Sequence, residues 1–131
     1  VWTDIPWEES GAGTASPELR AAVLAQYRDL LFLPDYAGQS LARLRSSRGR
    51  AWFLTRWSYD EGKHLLALHE WLVRRGGMAD PELKEMADRL LEEYRWTPPF
   101  RDAAGIMADA LVWEMAEMEQ LAQIRDLAVA E

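Results

Sequence analysis

Apolar residues in this chain recur at spacings of three and four, the period of a helix that buries one face, and nowhere alternate with period two over a useful length. Leu19, Val23, Tyr27, Leu30 and Leu31 carry that period onward from Ser16-Pro17-Glu18. Those three residues combine an N-cap, a proline at the first helical position and an acid in the first turn. A first helix is therefore predicted from Pro17, kinked at Pro34 and resumed through Tyr36, Leu41 and Leu44 to a turn at Ser46, Ser47 and Gly49. A second is predicted from Arg50 to Arg75, where Gly76-Gly77 stops it. A short third helix follows Asp80-Pro81 through Leu83, Met86, Leu90 and Tyr94, and Trp96-Thr97-Pro98-Pro99 breaks it. The fourth starts near Phe100 and reads as helix to Glu131 through Met107, Leu111, Trp113, Met118, Leu121 and Ile124. Residues 1–16 hold a proline, two glycines and two tryptophans without a helical period, and read as an extended arm. The expected fold is all-α, one helical domain over residues 17–131.

Composition agrees with a single domain, because 131 residues at 49% hydrophobic content suffice for one sizeable core. No apolar run approaches the roughly 20 residues of a membrane span, and no charged leader precedes an apolar stretch. The expectation is a soluble, unsecreted chain with no membrane span. Cysteine is absent, which rules out disulfides, thiolate ligands and a cysteine nucleophile and suits a reducing cytoplasm. A net charge of −7 argues against general nucleic-acid binding, which needs positive charge to displace phosphate counterions. Charge is uneven, however. Between Asp35 and Asp60 there is no acid, while Arg43, Arg45, Arg48, Arg50 and Arg56 all fall there. That run is either a docking surface for an acidic partner or an ordinary solvated connection between helices.

Candidate chemistry lies on the second helix. Arg50, Leu54, Trp57, Glu61, His64, Leu68 and Trp71 share one face, so a glutamate and a histidine sit on a core-facing seam between tryptophans and leucines. A carboxylate buried there needs a partner. Glu and His three residues apart project in the same direction, the arrangement by which di-iron and di-manganese bundles offer an oxygen and a nitrogen to one metal. The plainer alternative is that Glu61 and His64 hydrogen-bond each other or a tryptophan N–H. On the last helix, Ala103, Met107, Ala110, Glu114, Glu117, Leu121 and Ile124 form a second seam with acids at its centre. Glu114 is the stronger candidate, since it also belongs to the stripe Met107, Leu111, Glu114, Met118, Leu121. Glu117 reads as a ligand, a supporting acid or a solvent-facing one. His69, turned roughly 140° from His64 at about 100° per residue, reads as a surface or boundary histidine.

These residues resemble the acyl-carrier-protein desaturases of the ferritin-like superfamily. The stretch Trp57-Ser58-Tyr59-Asp60-Glu61-Gly62-Lys63-His64, with Leu65, Leu66, Trp71, Leu72 and Gly76 after it, is similar to that family's tryptophan, paired acids and histidine followed by a leucine-rich turn to a glycine. Pro99 through Trp113-Glu114 to Ala122-Gln123 resembles its third ligand helix, with Glu114 at the ligand position, and Leu33-Pro34-Asp35-Tyr36 resembles the Leu-Pro-x-Tyr after its first ligand. The likeness spans residues 17 to 131. It implies a ferritin-like bundle, a di-iron cofactor held by Glu61, His64 and Glu114, and oxygen-dependent removal of hydrogens from an acyl chain. An acidic acyl carrier protein would dock on Arg43, Arg45, Arg48, Arg50 and Arg56.

Two departures narrow that implication. The family's first ligand falls at Leu30, which cannot coordinate metal, and the second Glu-x-x-His is missing because both histidines lie on one helix. Three explanations stand open: a fragment that stops before a fourth helix, a homodimer whose two copies pool four carboxylates and two imidazoles, and a relative that has lost its metal. Glu117 stands where desaturases have a small hydroxyl residue, which favours another oxidation. Beside the desaturase-like oxidoreductase stands a different class, a self-associating helical module or metal-storage protein without enzymatic activity. A hydrolase has little support, as no Gly-x-Ser-x-Gly or phosphate loop is present.

Overall fold

A computed structural model describes residues 5–9 and 13–131. Among the described residues there is no strand; five α-helices and one 3-10 turn at Trp7–Glu9 make up the fold. The helices are α1 (Pro17–Leu30), α2 (Leu33–Leu44), α3 (Arg48–Arg74), α4 (Asp80–Glu93) and α5 (Ala103–Val129). The all-α expectation holds. Of the predicted arm, residues 1–4 and 10–12 lie outside the described residues.

Local chemistry sets the ends. Ser16 Oγ accepts from Leu19 N at 3.1 Å and Pro17 opens α1, so the first orphan donors are either capped or absent. The predicted single kinked helix is instead two helices. Pro34 has no N–H to give to the carbonyl one turn back, and the chain meets this by stopping α1 at Leu30 and placing Pro34 in the first turn of α2. At the end of α3 a Cβ on Gly76 would lie 2.7 Å from Leu72 O, and Gly77 has a φ of +68°, so both glycines are needed for the turn. Asp102 Oδ1 accepts from Gly105 N at 2.8 Å and starts α5, three residues later than predicted from Phe100.

Consecutive helices α1 and α2 form the middle layer, each packed against both α3 and α5. Contacts fix the directions. Tyr27 meets His69 and Tyr36 meets Trp57, so α1 and α2 run antiparallel to α3. Ser16 N reaches Glu131 and Tyr36 meets Trp113, so they run antiparallel to α5 as well. Two apolar cores result. One joins Leu19, Val23, Tyr27, Leu31, Leu72, Leu83 and Ala87, where α4 closes it. The other joins Tyr36, Leu44, Leu54, Ile106 and Ala110, walled by Trp57, Trp96 and Trp113. Leu30 and the buried polar residues Gln26, Glu61 and Glu117 belong to neither core. No helix among the described residues is long and apolar enough to cross a membrane.

Candidate metal centre

Glu61 arrives from α3 and Glu117 from α5, and the two residues are only 2% and 4% exposed. His64, one turn beyond Glu61, keeps 46% of its side chain in solvent and forms the mouth of the group. Its Nδ1 lies 3.2 Å from Glu117 Oε1 and 3.6 Å from Glu61 Oε1. One ligand atom from each of the three residues falls within 4.8 Å of the others. For metal bonds of about 2.1 Å, separations of 3.2 and 3.6 Å subtend angles of about 100° and about 118° at a common ion, close to tetrahedral.

The second oxygens, Glu61 Oε2 and Glu117 Oε2, are buried without a hydrogen-bond partner, as is Gln26 Oε1. Buried oxygens of this kind are costly unless something binds them. Burial pushes the Glu61 carboxyl up to about 7, opposed by the hydrogen bond to His64 and reinforced by Glu117. His64 is raised to about 10, first by its hydrogen bond to Glu117 and then by that to Glu61, against partial desolvation. For Glu117, burial raises, but the bonds to His64 and Glu61 and the His64 charge bring it below its usual value. Without an ion, the group thus holds a proton on Glu61 and an ion pair between Glu117 and His64. A divalent cation would take the place of those protons at similar net charge.

Glu114 lies outside this group. Its Oε2 accepts from Trp57 Nε1 at 2.9 Å, in the aromatic wall of the second core. The structure therefore brings Glu117, and not Glu114, beside Glu61 and His64. The stripe that favoured Glu114 is only partly buried, with Leu111 60% and Met118 63% exposed, whereas the buried row is Ile106, Ala110 and Glu117. Leu30, at the position of the desaturases' first ligand, is wholly buried, and among the described residues no second Glu/His group of this kind occurs. The residues present fit one ion; they do not fit a di-iron centre within one chain.

Gln26 escaped notice in the sequence, although it is a polar residue three after Val23 in the apolar stripe of α1 and lies beside Glu117. His69 is three-quarters buried and bound at both nitrogens, by Tyr27 OH at 3.1 Å and Asp80 Oδ1 at 2.7 Å. The five arginines do not form one free patch. Arg43 spends its guanidinium on the carbonyls of Pro98 and Phe100, and Arg56 pairs with Asp60 at 3.2 Å. Arg45, Arg48 and Arg50 stay exposed about the α2–α3 turn.

Protein-family models, curated proteins and solved structures were each compared with the chain, and none matches.

Proposed function

We propose that this chain binds one divalent transition-metal ion through Glu61, His64 and Glu117 and uses it for oxygen-dependent oxidation of the desaturase-like kind. The carrying observation is the convergence of two buried carboxylates, Glu61 and Glu117, on an imidazole open to solvent, with one ligand atom of each within 4.8 Å of the others. Two carboxylates and one nitrogen suit iron, manganese or zinc, and three protein ligands leave a coordination position open. Iron, when bound, supplies the one-electron reduction of dioxygen. The chain's own residues do the rest. Glu61 and Glu117 are held at fixed separation by α3 and α5, and His64 guards the exposed side. The bond from Trp57 keeps Glu114 turned away.

A second reading is favoured by the apolar surface of α3 and α5, where Leu66, Leu111, Met115 and Met118 are each more than half exposed. Two copies pairing there would cover that surface and pool two three-residue ligand sets, as a storage module or a homodimeric di-iron enzyme would need. Arg45, Arg48 and Arg50 are the residues left to meet an acidic carrier. The test is anaerobic iron(II) loading followed by metal analysis and sizing of the same sample. One iron per chain in a monomer supports the single-ion site, and one per chain in a dimer supports pairing. Protein that emerges metal-free after loading sinks both.

A further inference from the structure

On the α1 side of Glu117 lies a cavity of about 330 Å³, bounded by α1, α5 and the segment before α5. That is room for about ten non-hydrogen atoms at the ~30 Å³ a water molecule occupies in the liquid. Its walls are aromatic: Phe32, Trp96 and Trp113. Trp96 and Trp113 stand nearly perpendicular, at 83° with centroids 6.5 Å apart. Both rings are held from behind by Tyr36, at 4.7 and 5.2 Å, and Gln39 Nε2 donates to Trp96 O at 2.6 Å. The corner they make is therefore built into the fold.

The polar lining carries one sign. Asp29, Asp109 and Glu117 contribute carboxylates, and no Lys, Arg or His is among the lining residues. Asp29 is engaged at the rim by Gln120 at 3.5 Å, but Asp109 has no cationic partner among the described residues. Gln26 and Glu117 also belong to the lining, but Gln26 Oε1 and Glu117 Oε2 are buried away from the open space, so the carboxylate that faces a ligand without a partner is that of Asp109. An anionic ligand would face three acids, and a neutral hydrocarbon would cover the Asp109 carboxylate without supplying a counter-charge. A cation satisfies both walls at once, because aromatic faces attract positive charge and perpendicular rings form the sides of a cage.

We propose that this cavity binds a small organic cation, an alkyl- or arylammonium, between the Trp96 and Trp113 rings and against the Asp109 carboxylate. That this cation is the substrate of the adjoining metal centre rests on the metal-centre reading; its binding does not.

The two are tested apart. Benzyltrimethylammonium is titrated into the chelator-treated chain while the indole N–H resonances of Trp96 and Trp113 are followed, with neopentylbenzene as the neutral probe of the same shape. The expected result is saturable shifts at those two indoles and at least a tenfold preference for the cation. Asp109→Asn should weaken the cation at least fivefold without changing the neutral probe, and Trp96→Phe should weaken it in a background with every acid intact. Asp126→Asn, remote from the cavity, should change nothing. Equal binding of the two probes overturns the proposal, as does undiminished binding by both folded Asp109→Asn and Trp96→Phe, or no binding at 10 mM. Zinc titration of the same sample reports the metal site separately, so either reading can fail while the other stands.

Discussion

A metal ion taken up by Glu61, His64 and Glu117 would displace protons, and the raised Glu61 and His64 values give the number expected. Acidification is the perturbation. His64 is raised to about 10, so near neutral pH it is protonated and every ion bound at Nδ1 releases that proton. A ligand protonated throughout the range costs tenfold in apparent affinity for each pH unit. Glu61, raised to about 7, adds a second release that sets in as pH falls past that value. From about pH 7.5 to about pH 6.5 the His64 proton gives about tenfold and the Glu61 proton about threefold, roughly 30-fold together. The assay is calorimetric titration with zinc in two buffers of different ionisation enthalpy. Proton release should be about one per ion near pH 8.5 and approach two below pH 6.5. Binding without proton release, or an affinity flat over that range, would refute the placement of the ion among these three side chains.

Glu117→Gln should reduce zinc affinity at least tenfold, whereas Glu114→Gln should leave it within about threefold; equal losses would mean that Glu114 reaches the ion after all. In the metal-free protein, the raised Glu61 pKa gives stability that is full below about pH 4.5 and is lost as pH rises through about 7. Glu61→Gln should therefore gain on the parent by of the order of 3 kcal/mol across that window in urea melts, and a constant difference would count against the burial argument. Removing the partner of the buried Tyr27 hydroxyl by His69→Ala should cost about 1–3 kcal/mol, and Tyr27→Phe in that background should recover part of it. Additive losses in the double variant would show that the Tyr27–His69 bond contributes nothing.

Helix positions and the Glu61–His64 pair were legible because they rest on local signals: proline and serine at helix starts, paired glycines at a stop, and a three-residue spacing on one helix. The break at Leu31-Phe32 was half legible. Pro34 marks the place, but whether a helix kinks or restarts depends on which neighbours bury its two arms. The choice between Glu114 and Glu117 was not legible. Helix α5 is apolar nearly all round, with Leu111, Val112, Met115 and Met118 exposed, so several stripes fit the period equally and only packing against α1 selects one. The same holds for Gln26, whose meaning depends on an acid 91 positions away. The Tyr27–His69–Asp80 chain joins three helices and has no spacing by which a sequence could declare it.

The polar layer of Gln26, Glu61 and Glu117 between two apolar cores has a bearing on how the molecule opens. Side chains there give little contact energy across the layer, so each core has the makings of its own cooperative unit. Amide hydrogen exchange along α3, the helix that serves both cores, should then show two rates in the metal-free protein, one before Glu61 and one after His64. An ion bridging α3 to α5 at the layer ties the halves together, and the two rates should merge as it binds. Occupancy of one small site would in this way be read out over the full length of the longest helices.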